Sequence, residues 1–433
     1  MLKRHTNIVL ILILLTFFYS CGSDPIEYVI TGEPKSTPIQ PKTVKIFLET
    51  SMSMKGYVNS NQEGNYKLKQ IVPYFITDIK AYFPKFELYT ITDKPEKYNN
   101  SEEQFNNSLR NGSILGGKSS KLNNIFNSII DSLNKESVSF LVSDCILDLG
   151  SQTNNITERD LITHNIYEHI KGKNISVAVF QFYSDFNGTY YYDRNNTGGT
   201  IEKAHPYYNQ IMKKRPFYIW AFGNEKGIKD VVEKEIIKDY ENIYFYNIKY
   251  DDVKFNLLSH PRKGNISITP SNKFFSINEV TKESPVTITL GFDFSRFPTI
   301  IKDINYLQNN LEIAEKNIHS QIEVLDIDKI KAEKDYEKKI EKSITENNLT
   351  HFVKITFDNL KPEDDNFQLI LKKPIAPWVN SANLEDDLGK PIAELENKTF
   401  SFKYLVDAFE RSYKDEYIFK INFTNPDPIS KNN

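Results

Sequence analysis

The chain is poor in the residues that most often carry chemistry. Across 433 residues it has two cysteines, Cys21 and Cys145, so no disulfide framework organises it and a zinc site built on thiolates is excluded. Its seven histidines (His5, His164, His169, His205, His260, His319 and His351) are scattered, and His164 and His169 miss the i,i+4 spacing of helical metal ligands. No Gly-x-Ser-x-Gly elbow, Walker loop or Gly-x-Gly-x-x-Gly fingerprint occurs. Neither sign of charge dominates: 54 Lys and Arg face 57 Asp and Glu, a net charge of -3, and nothing argues for nucleic acid as a partner. Beyond the first twenty residues there is no long apolar run.

What is present describes a folded protein. With 39% hydrophobic and 13% aromatic residues, a chain of this length can fill two cores of ordinary size. Residues 1–20 read as a targeting segment: Lys3, Arg4 and His5 form a basic start, and Ile8 to Tyr19 an apolar run too short for a comfortable membrane span. The run ends in Phe18-Tyr19-Ser20-Cys21-Gly22, which resembles the lipobox of bacterial lipoproteins, with Phe18 where Leu is usual. The resemblance implies that Cys21 becomes an acylated N-terminus carrying palmitate-type chains. It places the chain at the bacterial cell envelope, held to a membrane through its lipid anchor. Each buried CH₂ of such a chain is worth roughly 0.8 kcal/mol, and two or more chains anchor stably. Residues 21–43, with Pro25, Pro34, Pro38 and Pro41, read as a flexible tether.

From residue 44 to about 255 strands and helices alternate, which predicts an α/β domain with a doubly wound, mostly parallel sheet. Val44 to Leu48 is a buried strand; Tyr66 to Phe83 is a helix, with Leu68, Ile71, Val72, Phe75, Ile76, Ile79 and Phe83 at helical spacing. Lys121 to Asn134 repeats that pattern, and Ser137 to Val142 is a further strand. Ile175 to Tyr183 is the most apolar strand and is expected near the sheet centre. Residues 184–215 read as a long insertion at a strand end, and Tyr190, Tyr191 and Tyr192 within it as residues that binding surfaces favour. Past His260 the alternation gives way to short β-type runs, which predicts an all-β sandwich over 262–433 with a charged insertion at about 302–348. Trp378 is expected to plug that sandwich, and Glu385-Asp386-Asp387 to be an exposed acidic turn.

The chemistry concentrates where the first strand ends. In Glu49-Thr50-Ser51-Met52-Ser53 a carboxylate and two hydroxyls alternate, and oxygen-only donors suit Mg²⁺, Ca²⁺ or Mn²⁺. Glu49-x-Ser51-x-Ser53 resembles the Asp-x-Ser-x-Ser signature of von Willebrand factor A-type domains, where it forms part of a metal-ion-dependent adhesion site. Glu49 stands where that motif has Asp, a side chain longer by about 1.5 Å. Ser119 and Ser120 fall where the family has a ligating Thr, and Ser143-Asp144-Cys145 where it has Thr-Asp-Gly. The resemblance implies a cation held by Glu49, Ser51, Ser53, Ser120 and Asp144, with an acidic group of a protein or other envelope partner completing its shell. Other readings of the same residues stay open. Ser120 can cap a helix, Asp144 can close a turn, the site can be a decayed scaffold beside a Tyr-rich binding loop, and Thr50 or Ser51 can be the nucleophile of a metal-assisted phosphoesterase. Cys145, at the end of an apolar strand, reads as a buried small residue.

Overall fold

The computed structural model of the protein describes residues 25–33, 39–58, 65–117, 120–147, 155–191, 207–278, 280–333, 336, 338–361, 364, 366–374, 376–387, 389–413 and 417–426. Two units emerge: an α/β unit formed by Ser36–Lys249 with Lys373–Tyr417, and a β unit formed by the chain up to Lys35, Tyr250–Lys372 and the chain from Ile418.

The α/β unit is built on seven strands: β1 (Thr43–Glu49), β2 (Lys85–Ile91), β3 (Pro95–Lys97), β4 (Ser137–Ser143), β5 (Ser176–Tyr190), β6 (Tyr207–Gly223) and β7 (Asn242–Tyr246). Their order across the sheet is β3-β2-β1-β4-β6-β5-β7. β1 lies between β2 and β4 and is parallel to both, with Ile46 opposite Leu88 on one side and Phe140 on the other. Every residue of β4 is buried, as expected of a central strand covered on both faces. Helices α1 (Leu68–Tyr82), α2 (Glu102–Arg110), α3 (Leu122–Asp131), α4 (Asn155–Ile170) and α5 (Glu225–Glu233) supply the covering layers. On α1, Leu68, Val72, Phe75, Ile76 and Ile79 are buried at helical spacing, and Phe75 meets Phe140 of β4 edge-on at 4.9 Å.

The sheet is mixed rather than mostly parallel, and the reason lies in residues 184–215. The described ends of that segment, 184–190 and 207–215, extend the two arms of a long antiparallel hairpin, β5 and β6, which pair from Ser176 opposite Gly223 to Tyr190 opposite Tyr207, with register shifts near Ser184 and Gly188. A hairpin joins antiparallel strands, and its second leg occupies the place beside β4. The apolar strand at 175–183 is thereby displaced from the centre to the last position but one. β7 then adds antiparallel to β5.

A helix from the far end of the chain closes this core. Phe402–Ser412 (α6) buries Phe402, Leu405, Val406 and Phe409 at positions i, i+3, i+4 and i+7. Phe409 packs on Trp220 at 5.3 Å and on Tyr246 at 5.4 Å, and each such buried apolar side chain contributes roughly 1.5–3 kcal/mol. Trp378 belongs to the same core and donates from Nε1 to the Ile243 carbonyl at 3.3 Å, so it does not plug the β unit.

The β unit is a two-sheet sandwich. One sheet orders Ile266–Thr269, Phe274–Ile277, Ile26–Gly32, Tyr417–Thr424, Asn366–Lys372 and Leu311–Ile313; the other orders Ser320–Asp326, His351–Phe357, Val286–Asp293 and Lys254–Lys263. Aromatic pairs join the sheets, with Phe292 and Phe419 centroids 5.5 Å apart and Phe357 and Phe367 likewise 5.5 Å apart. Ile26–Gly32 falls in the stretch expected to be a tether. Its buried residues Ile26, Tyr28 and Ile30 alternate as a strand requires, and it pairs with Phe274–Ile277 on one side and Tyr417–Thr424 on the other. The charged stretch around 327–346 forms two short helices, Ile327–Ala332 and Lys338–Glu346, which bury Ile330, Ile340 and Ile344 against Phe352.

Candidate functional site

Three chain segments meet at the C-terminal edge of β1 and β4, the side of an open sheet where ligands bind. The backbone fixes the first junction. Thr50 donates to the Ile91 carbonyl at 3.0 Å, and its own carbonyl accepts from Gly116 at 3.0 Å and Gly117 at 2.8 Å. Ser51 bridges to Gly117 in parallel fashion. Glycine is required there: Gly116 has φ +143, and a Cβ on Gly117 would lie 3.0 Å from the Thr50 oxygen and closer still to Thr92. This clasp carries the chain to Ser120, just ahead of α3.

Glu49 is the hub. It is 1% exposed, and its two carboxylate oxygens accept from different segments, Oε1 from Ser120 Oγ and Oε2 from Ser143 Oγ. The Ser51 hydroxyl lies close enough to this carboxylate to favour its charged form. The Ser51 and Ser53 hydroxyls are 2.9 Å apart, and Ser143 Oγ accepts the Cys145 N–H at 2.8 Å. Ser120 therefore does not cap α3, whose N-cap position is Lys121 without a side-chain bond. Asp144, also 1% exposed, accepts the Ile146 N–H on Oδ1 at 3.4 Å, while its Oδ2 is buried without a hydrogen bond.

Two buried carboxylates in one place strain each other's ionisation. Burial, then the neighbouring Asp144, pushes the Glu49 carboxyl up to about 7, against the pull of the Ser120, Ser143 and Ser51 hydroxyls. Burial likewise raises Asp144, opposed by Arg215, by Ser53 and by backbone N–H groups.

Arg215 is the residue that sequence reasoning missed. It is fully buried on β6, donates from Nη1 to the carbonyls of Leu395 at 2.8 Å and Lys398 at 2.6 Å, and stacks over the Tyr190 ring at 4.8 Å. Burial works against its charge, but Tyr57, Tyr190, Asp144 and Tyr218 outweigh this and hold it protonated. In the sequence it closes a basic run, Lys213-Lys214-Arg215, that looks solvated. The available signal was its place two residues before the apolar strand core, on the face shared with Phe217 and Ile219.

The tyrosines assigned to partner binding fare differently from the serines. Tyr190 is 1% exposed and donates to Asp387 Oδ2 at 2.9 Å, so it is an internal strut and not a surface contact. Tyr191 is half-buried, and Tyr192 lies outside the described residues, as does Cys21. In the stretch read as an exposed acidic turn, Glu385 and Asp386 are exposed, whereas Asp387 is fully buried. At the rim, Ser53 is half-buried, Met52 is 40% exposed, and the exposed Lys55 lies beside Gly116.

Cys145 has φ +56, the left-handed region that favours glycine, at the position where the adhesion-site motif carries Gly. Its buried thiol accepts from Trp220 Nε1 at 3.3 Å, and burial pushes it well above the ordinary thiol range, so it is held as a neutral packing group. Among the described residues no three His, Cys, Asp or Glu side chains cluster, so any metal site here relies on serine oxygens. No helix among the described residues is long and apolar enough to cross a membrane. Comparison of the sequence with protein-family models and with curated proteins gave no match.

Proposed function

We propose that the α/β unit is a von Willebrand factor A-like binding domain. Its Glu49, Ser51, Ser53, Ser120 and Asp144 oxygens take a divalent cation, Mg²⁺, Ca²⁺ or Mn²⁺, and through it an acidic group on a protein or other envelope component. In the same proposal an acylated Cys21 holds the chain at the membrane of a bacterial envelope.

The observation that carries the reading is the buried Asp144 Oδ2, without a hydrogen bond, beside a second buried carboxylate and the paired hydroxyls of Ser51 and Ser53. The donors fit a hard cation, being oxygen only and drawn from three segments. A bound cation would supply the positive charge that lets Glu49 and Asp144 ionise together. Arg215 can balance one of those charges, not both. Ser53 is the most accessible oxygen of the set, and Met52 and Lys55 beside it would be the partner's neighbours. The parallel trio β2-β1-β4, with the site at its C-terminal edge, also favours the reading. We do not extend it to hydrolysis, since Thr50 and Ser51 are only 7% and 4% exposed.

Titration calorimetry with Mg²⁺, Ca²⁺ and Mn²⁺ tests the proposal. Saturable binding of at least one ion that is abolished by Asp144→Asn is the expected result; no binding, or binding indifferent to that change, refutes it. A second reading draws on the bonds Glu49 already makes to Ser120 and Ser143. In it the cluster is a closed hydrogen-bonded hub, and the scaffold binds its partner without an ion. A partner interaction insensitive to chelator would select it.

A further inference from the structure

A second candidate site lies on the outer face of α1, in a cleft of about 420 Å³ lined by Lys69, Gln70, Pro73, Tyr74 and Arg110. None of these residues belongs to the carboxylate cluster. The four from α1 fall at positions i, i+1, i+4 and i+5, so they share one face of the helix, and Arg110 is the last residue of α2. Pro73 is buried and forms an apolar floor, whereas Tyr74 is 74% exposed, more than any other large hydrophobic side chain among the described residues.

The charges of the cleft are uncompensated. Elsewhere on and around α1 the ionic groups are engaged: Lys80 pairs with Glu102 at 2.7 Å, Asp78 with Lys238 at 3.1 Å, and Lys67 with Glu241 at 3.4 Å. Among the described residues neither Lys69 nor Arg110 has a carboxylate partner; the Lys69 ammonium rests over the Tyr66 ring at 4.9 Å. Two cations without a carboxylate partner among the described residues, an amide and an exposed phenol around an apolar floor form a composition that protein interfaces favour, with Tyr and Arg as the residue types that most often dominate binding energy.

We infer that this cleft docks an acidic segment of a partner protein: carboxylates pair with Arg110 and Lys69, and an adjacent apolar side chain lies between Tyr74 and Pro73. Charge complementarity selects an acidic occupant. The aromatic wall and apolar floor select a peptide carrying apolar side chains over a purely ionic polymer. A guanidinium matches a carboxylate with two parallel hydrogen bonds, which gives Arg110 the directional role and Lys69 a point charge.

The test uses the full chain and three probes: a hexapeptide alternating Glu and Phe, hexaglutamate, and polygalacturonate. Fluorescence anisotropy of the labelled Glu–Phe peptide is expected to show saturable binding that weakens about tenfold or more in each of Tyr74→Ala and Arg110→Ala. Raising salt from about 50 to about 300 mM should weaken it too, and Asp144→Asn should leave it unchanged. Both substituted residues are exposed, so the variants retain their fold. No saturable binding, binding unaffected by Tyr74→Ala, or hexaglutamate binding as tightly as the mixed peptide would overturn the inference. Polygalacturonate displacing the peptide with the same dependence on Tyr74 and Arg110 would assign the cleft to an acidic polysaccharide instead.

Discussion

The carboxylate of Glu49 accepts a hydrogen bond from Ser143 one step beyond the last paired residues of β1 and β4, Leu48 and Val142. Two neighbouring parallel strands are thus joined by side chains where their ladder ends. Everything proposed for the rim of the sheet follows from how that junction responds when a member is altered.

The first consequence is a dependence on pH. An ordinary Glu titrates near 4.5, while Glu49 in the folded protein is pushed up to about 7. Between those values the folded chain holds a proton that the unfolded chain has released, so stability falls as pH rises from about 4.5 to 7 and levels off above. The span corresponds to a loss on the order of 3 kcal/mol. Urea unfolding at pH 5 and pH 8 with chelator present should show that loss, and Glu49→Gln should reduce it. An unchanged slope in the variant would place the responsible group elsewhere.

Removing one donor should be felt directly. Ser120→Ala leaves Oε1 of a buried carboxyl without its bond from that segment, at a cost of roughly 1–3 kcal/mol. Ser120→Thr keeps the hydroxyl and should recover most of the loss. Thermal unfolding of the pair distinguishes a bonding role from a packing one, since equal melting points in the two variants would leave no place for the hydroxyl.

Arg215 is held by the Leu395 and Lys398 carbonyls, which belong to the returning segment of the α/β unit. Arg215→Ala strands those acceptors and uncovers the Asp144 charge, and should cost roughly 3–5 kcal/mol in unfolding free energy. Arg215→Lys keeps the charge but not the planar fork, so only partial recovery is expected. Full recovery by Lys would reduce the role of Arg215 to its charge.

Gly188 on β5 approaches Gly56 in the turn after the site so closely that a Cβ on Gly188 would lie 2.7 Å from the Gly56 Cα. Tyr57 and Phe186, next to these glycines, pack edge-on at 5.1 Å. Gly188→Ala must push the hairpin off that turn and should destabilise by roughly 1–3 kcal/mol. If the turn shifts with it, the cation binding proposed for Ser51 and Ser53 should weaken as well; calorimetry on the variant reads this.

Much of the site was legible in the sequence because its elements are local. The strand ending at Glu49, the strand ending at Ser143 and the helix after Ser120 each announce themselves within a dozen residues, and sheet topology does the rest. What was not legible depends on partners far along the chain. Ile26–Gly32 carries a strand's alternation, but prolines flank it, and the strands that bury it begin near 274 and 417. Phe402–Ser412 has helical spacing in β-type residues, so the choice of helix rests on the face of Trp220 and Tyr246 that it covers. Arg215 looked solvated because three consecutive basic residues hide the fact that alternate side chains of a strand face opposite ways. The expectation of a mostly parallel sheet followed from taking residues 184–190 and 207–215 for loop rather than for strand ends.

The placement of Ile26–Gly32 between Phe274–Ile277 and Tyr417–Thr424 bears on how the protein is made. A ribosome adding about 5–20 residues per second releases the first of these strands some tens of seconds before the last. Through that interval Ile26, Tyr28 and Ile30 await burial, while most of the α/β unit has already been synthesised. Ile26–Gly32 gains its first partner when Phe274–Ile277 appears, but both of its edges are covered only once residue 424 has been made.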